Sequence, residues 1–499
     1  MSKEELYGKF LKIWKDIALL NHAKELFDWD RETYMPKGES EARAEQMAIF
    51  AEIIHRKMVD NRLDDILRDL ELLGLKGDYD FNLYEQANIR EAMRVVRFAK
   101  ALPTDLMAAL AKETSLADEI WQEARKNNSF SDFAPALKKV VSLSQEKAGA
   151  YVAAGIGASP YEALFFEYED GISLAEVDAI FDKLRAELPP LVKTIMSLEP
   201  PDDSFLFKNY PKELQEKVSR EIITAMGIDW NRCRLDVSTH PFTCSPAHAS
   251  PRITSRYDEN NLIDSLFSAI HEAGHALYEQ GLPPEWAYQP IGSVFSLSVH
   301  ESQSRFWDAW LGRSYPFWMI FYQKLYSAFP EHLNGVTDRD LYRAVNRAKL
   351  GFIRVDSDPL TYNLHVLLRK DIEKAMINDD VSVDELPTLW NELFKKYFGV
   401  EVPDDRRGIL QDVHWSAGLI GYFPTYTLGN IISAQLYAEV KNFNFHAIRD
   451  WLVEKIHRHG SLYKTQELVK IATGQPISAD VFMAQLKERY SDVYNFTIH

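Results

Sequence analysis

The sequence predicts a mainly α protein, and three observations carry the prediction. Apolar residues recur at three- and four-residue intervals through long stretches of the chain, the mark of amphipathic helices. Glycine and proline are sparse, 22 of each in 499 residues, where an all-β chain would turn about every 10 residues. Strict alternation is confined to two short segments. Hydrophobic residues make up 46% and aromatics 12%, enough for a large buried core and too much for a disordered chain.

The elements follow in order. Leu6, Phe10, Leu11 and Trp14 fall at i, i+4, i+5 and i+8 and build one apolar stripe. Similar stripes around residues 49–58, 89–102 and 177–188 make residues 1–200 an N-terminal helical wall. Pro36-Lys37-Gly38, residues 74–80 and residues 155–160 punctuate it as loops. At Pro200-Pro201-Asp202-Asp203 the pattern breaks, which marks a lobe boundary or hinge. Residues 234–238 and 252–256 alternate with period two and are expected to pair as a small antiparallel ribbon. Helices resume at Leu262 and continue to the end.

Charge and apolar run length exclude whole classes of partner. Fifty-seven Lys and Arg against 74 Asp and Glu leave a net charge of −17, which repels a polyanion, so no nucleic-acid partner is expected. The most apolar run, Phe317 to Tyr322, is far short of the ~20 residues that span a bilayer, so no membrane partner is expected either. The first 20 residues alternate helically and carry charge, unlike a signal peptide. Cys233 and Cys244 are the only cysteines, and so few suit a reducing compartment. A cytoplasmic location is the expectation.

His271-Glu272-Ala273-Gly274-His275 carries the chemistry. Ile263, Leu266, Phe267, Ile270, Gly274 and Leu277 place it inside a helix that Gly281 and Pro283-Pro284 end. On that helix His271 and His275 are i and i+4, so their imidazoles project side by side and can share one Zn²⁺. Glu272, at the edge of the same face, reaches an attacking water more easily than the metal and is the expected general base and acid. A catalytic zinc takes three protein ligands, and Glu301, 26 residues after His275, leaves room for a loop and a returning helix. Glu301 is the expected third ligand. His300 is its rival, but adjacent helix positions point about 100° apart, so only one of the two can face the metal. His240 and His248 compete from upstream.

Several motifs in one order then resemble the carboxypeptidase Taq family of metallocarboxypeptidases. The HEAGH segment is followed by His300-Glu301-Ser302-Gln303. Thr239-His240-Pro241-Phe242 fits the family's His-Pro-Phe element, and Ile353 to Asp358 its Ile-Arg-x-x-Ala-Asp element, with Ser357 for Ala. Gly408 to Trp415 fits Gly-x-x-Gln-Asp-x-His-Trp, and the stretches from Trp29 to Pro36 and from Gly421 to Pro424 are also similar. One element departs: where the family has Asp-x-Arg-x-Thr, this chain has Ser250-Pro251-Arg252-Ile253-Thr254.

The resemblance implies a large helical two-lobed fold with a deep active-site groove, and the small β-ribbon beside the zinc helix. It implies a homodimer that removes single amino acids from the free C-terminus of peptides with broad specificity, using Zn²⁺ or Co²⁺. Motifs from His240 to Tyr422, all needed around one metal, point to a single catalytic domain over residues 1–499, of which 201–499 is the zinc-binding part. An exopeptidase must hold a terminal carboxylate, and a bidentate arginine is the natural clamp; Arg252 and Arg354 are the candidates. His240, His414 and Tyr422 are candidate donors to the substrate or the oxyanion. An endo-acting zinc oligopeptidase would use the same metal chemistry and is the alternative.

Overall fold

The computed structural model describes residues 2–77, 80–294, 296–442 and 444–497. Its N-terminal run comprises α1 (Lys3–Thr33), α2 (Ser40–Met58), α3 (Asn61–Leu75), α4 (Leu83–Ala101), α5 (Thr104–Asn127), α6 (Phe130–Ala153), α7 (Pro160–Phe165) and α8 (Leu174–Met196). Then come α9 (Lys212–Met226), the strands β1 (Arg234–Val237), β2 (Thr243–Cys244) and β3 (Arg252–Ser255), α10 (Leu262–Gln280) and α11 (Leu297–Arg305). The remainder is α12 (Tyr315–Ala328), α13 (Asp338–Val345), α14 (Tyr362–Ile377), α15 (Leu386–Phe398), α16 (Phe423–Val440), α17 (Phe445–Lys455), α18 (Thr465–Thr473) and α19 (Ala479–Tyr494). Among the described residues, no helix is long and apolar enough to cross a membrane.

The chain forms two compact units, each assembled from three stretches. One holds Met1–Ala99, Asp202–Val345 and Ile432–Pro476; the other holds Lys100–Pro201, Asn346–Ile431 and Ile477–His499. The predicted break at residues 200–203 is one of the crossings. In the second unit α6, α7 and α8 pack on α14, and α8 also on α15 and α19. The helical wall expected of residues 1–200 is therefore shared between the units.

The first unit's helices form for the reasons the sequence offers. Ser2 caps α1 in a capping box with Glu5, and the stripe Leu6, Phe10, Trp14 and Ile17 is buried against Leu63, Leu67 and Leu70 of α3 and Ile89 and Val96 of α4. In α2 only Ile54 is buried; Ile49, read as part of an apolar stripe, is exposed. The predicted loop at 74–80 begins after Leu75, and residues 78 and 79 lie outside the described residues.

The ribbon differs from the expectation. β1 and β3 pair in parallel, Leu235 opposite Ile253, and the antiparallel partner of β3 is the two-residue β2, Thr243 opposite Ile253. The sheet order is β1-β3-β2. Parallel strands need a crossover. Here the chain reverses around Pro241, runs back along the far edge of β3 as β2, and re-enters in the direction of β1. A stretch as short as Thr243–Cys244 shows no alternation, so the sequence hid it.

Candidate active site

The metal-binding geometry begins with α10. Asn261 caps it, its side chain accepting from the backbone N–H groups of Ile263 and Asp264. The helix is apolar nearly all round and packs against α9, α11 and β3, as a fully enclosed helix does. His271 and His275 stand one turn apart on it, ring centroids 4.9 Å from each other. Glu301 comes from α11, whose N-terminus Ser296 caps.

Gly274 is what lets α11 come so close. A Cβ there would stand 2.6 Å from the Ser304 Cα and 2.7 Å from the Gln303 carbonyl oxygen, both backbone atoms that cannot yield.

The Nε2 atoms of His271 and His275 lie 3.8 and 3.6 Å from Glu301 Oε2. Ligand atoms at zinc bond lengths of about 2.1 Å in a tetrahedron stand about 3.4 Å apart, so these separations fit one small divalent cation. Among the described residues this is the only group of three or more such side chains with ligand atoms within 4.8 Å of one another.

The surrounding charges favour a cation here. Burial works against a charged His271, yet the carboxylates of Glu301 and Asp308 outweigh it and hold the imidazole up at about 9. Burial, reinforced by the His300 and His271 rings, pushes His275 well below the ordinary histidine range. One imidazole thus gathers positive charge that a bound cation would replace.

Asp308 was not foreseen. Its Oδ2 is 3.3 Å from His271 Nδ1 and accepts from Arg305 Nη1 at 2.7 Å. A carboxylate behind a ligating imidazole fixes its tautomer and orientation. Asp308 stands seven residues after Glu301, two helical turns on, a signal the sequence did contain. The α-helix widens there into a π-helical turn, Phe306–Leu311, of the kind often found at functional sites. Phe306, Trp307 and Trp310 are buried as expected.

Glu272 is buried beside the two histidines, and Thr243 Oγ1 donates to its Oε2 at 2.6 Å. Burial raises its carboxyl pKa, against the neighbouring His271 charge and the Thr243 hydrogen bond. The two-residue strand β2 thus orients the candidate base, another contact that no motif announced.

The rival histidines lie elsewhere. His300 stacks on His275, centroids 4.3 Å apart, and its Nε2 is 3.3 Å from Glu279 Oε1. His248 Nε2 is 3.0 Å from the Pro283 carbonyl oxygen. His240 is exposed in the β1–β2 link, its carbonyl accepting from Ser238 Oγ. Arg252, on β3 opposite Cys244, lies over the Trp29 ring at 4.1 Å and makes no ion pair within the described residues.

In the second unit, Arg354 is buried in a network. Its Nε and Nη2 donate to Asp412 Oδ1 at 3.0 and 2.8 Å, and its Nη1 to the Tyr362 hydroxyl. The partner is therefore Asp412, not the neighbouring Asp356 or Asp358. Arg369 Nε donates to Asp412 Oδ2 at 2.6 Å, so two guanidinium groups share one carboxylate. Burial, and then the two arginines, hold His414 down near 3 despite Asp412, which keeps its ring neutral. His414 Nε2 is 3.2 Å from the Tyr426 hydroxyl. Tyr422 packs edge-on against Tyr168 and Tyr426, 5.1 Å from each.

Residues 9–490 match the family model described as Carboxypeptidase Taq (M32) metallopeptidase. The chain belongs to this family. It is similar to thermostable carboxypeptidase 1 of Thermus thermophilus, 37% identical over 99% of this chain and 100% of the relative. Thermostable carboxypeptidase 1 of Pyrococcus furiosus is 34% identical over 98% of both chains. Among solved structures, the M32 carboxypeptidase of Deinococcus radiodurans R1 superposes with a TM-score of 0.93 at 33% identity, covering 98% of this chain and 100% of that one. The chain is thus a metal-dependent carboxypeptidase, a peptide hydrolase with a mainly α fold.

Proposed function

We propose that the protein is a zinc-dependent exopeptidase that removes single residues from the free C-terminus of peptides, with His271, His275 and Glu301 as metal ligands and Glu272 as general base and acid. The observation that carries this is the convergence of His271 Nε2, His275 Nε2 and Glu301 Oε2 within 4.8 Å, with Glu272 oriented beside them by Thr243. Two imidazoles and one carboxylate suit Zn²⁺, and Co²⁺ can take the same donors. When bound, the ion acts as a Lewis acid that polarises the scissile carbonyl and makes water more acidic.

The chain's own groups do the rest. Glu272 keeps Oε2 on the Thr243 hydroxyl and offers Oε1 to take a proton from the attacking water, then returns it to the leaving amine. Its raised pKa brings the carboxyl closer to neutrality, where a base of this kind works best. Asp308 holds His271 in the tautomer that leaves Nε2 free. Replacing Asp308 by asparagine is expected to weaken metal affinity about 10- to 100-fold, read by competition with a chelator.

The terminal carboxylate of the substrate needs a cation, because the protein's net charge of −17 repels it. Two arginines have the charge for this task. Arg354 shares Asp412 with Arg369, so that group retains one positive charge over its carboxylate, and Arg252 makes no ion pair with a carboxylate among the described residues. His240, His414 and Tyr422 complete the proposed binding set. The family resemblance supports a homodimer as part of this reading, and a cytoplasmic location fits two free cysteines.

A peptide and its C-terminally amidated twin test the exopeptidase reading. The free acid is expected to be shortened one residue at a time. The amide, lacking the charge that a bidentate arginine grips, should be cleaved about 100-fold more slowly. Equal cleavage of both, or internal products, would favour the endo-acting oligopeptidase instead.

A further inference from the structure

One buried ionisable side chain in the second unit has no part in the reaction described above. Glu373, on α14 and outside every motif of the sequence, is fully buried at 0% exposure. Three donors from three places in the chain converge on its carboxylate. The Tyr161 hydroxyl of α7 donates to Oε2 at 2.9 Å, the Gly421 N–H to Oε2 at 3.1 Å, and Trp415 Nε1 to Oε1 at 3.1 Å.

Trp415 directly follows His414, and Gly421 directly precedes Tyr422. Gly421 has φ 88, and a Cβ there would stand 2.9 Å from the backbone of Leu164 and Phe165, so the turn is pressed onto α7 and admits only glycine. One helical turn before Glu373, Arg369 holds Asp412. Helix α14 therefore grips the 412–422 segment at two levels.

We propose that Glu373 is a positioning residue for substrate binding, fixing through Trp415 and Gly421 the turn that presents His414 and Tyr422. The inference rests on the reading of His414 and Tyr422 as substrate-binding groups. An ionised carboxylate accepts from all three donors at once and brings no donor of its own. A protonated acid or an amide turns a donor toward one of them and leaves a buried N–H or O–H unpaired.

Burial holds the Glu373 carboxyl up at about 7, against the three donors and the Arg369 charge that favour ionisation. The titratable groups facing it are Tyr161 and Tyr168, both driven far above the usual phenol range and so neutral, and Arg369, whose partner is Asp412. Near neutral pH, Glu373 is the group among these that changes state.

The test is KM and kcat for one unblocked peptide across about pH 6 to 8, in the wild type and in Glu373→Gln. The wild-type KM should rise as pH falls through this range. Glu373→Gln should show a KM about tenfold higher at the alkaline end, little change in kcat, and no rise on the acid side. A Glu373→Gln enzyme with wild-type KM and an unchanged acid limb overturns the proposal, as does a loss confined to kcat. Should the variant not fold, the wild-type curve decides: a KM independent of pH overturns it.

His414→Ala and Tyr422→Phe, run alongside, separate the two levels. If neither moves KM, the substrate-binding reading of this turn fails and the proposal with it. If they raise KM while Glu373→Gln does not, the positioning role alone is wrong.

Discussion

Glu272→Gln is expected to lower kcat about 10³-fold while the protein keeps its full complement of metal. The amide is isosteric, and its carbonyl oxygen can still accept from Thr243 Oγ1, which now holds Glu272 Oε2 at 2.6 Å. What the substitution removes is the basic oxygen that takes the proton from water and returns it to the amine. His271, His275 and Glu301 are untouched, so elemental analysis should find metal as in the wild type. Activity that survived the change would refute Glu272 as the base. Joint loss of metal and activity would instead make Glu272 a ligand.

Gly274→Ala should damage the site from behind. The added methyl would meet the Ser304 Cα at 2.6 Å and the Gln303 carbonyl at 2.7 Å, so α10 and α11 must separate. Overpacking of this kind costs about 3 kcal/mol when, as here, backbone and not a flexible side chain is in the way. The separation moves Glu301 away from His271 and His275. A displacement of about 1 Å at a reacting site costs about 100-fold in rate, and a weakened metal site adds to that. Parallel measurement of thermal stability, metal content and kcat/KM checks the expectation. An alanine variant with wild-type values of all three would show that the close approach of these helices is not what sets the site.

Much of this was legible in the sequence because it depends on local periodicity. Leu6, Phe10 and Trp14 repeat at helical spacing and are buried, and His271 and His275 share one face of a helix that ends at Gly281 as its signals indicate. Glu301 was accessible through chain length between helices. The hidden parts depend on contacts between segments far apart in sequence. Thr243 reaches Glu272 only because a two-residue strand pairs with β3, and so short a strand has no pattern. The parallel pairing of β1 with β3 escaped notice for the same reason. Asp308 stands two turns after Glu301, but the π-helical turn that brings it to His271 cannot be read from that spacing. Asp356 and Asp358 are Arg354's neighbours in sequence, whereas its carboxylate, Asp412, comes from a segment 58 residues on.

The ligand set is the claim on which the rest depends, and metal content of the wild type and of Glu301→Ala tests it directly. The wild type, dialysed against metal-free buffer, should hold about one equivalent of a divalent ion per chain, as expected for a site with three protein ligands. Glu301→Ala should lose most of it, and activity with it, because two imidazoles alone hold the ion weakly. A Glu301→Ala protein that retained a full equivalent and hydrolysed peptide at the wild-type rate would contradict the account.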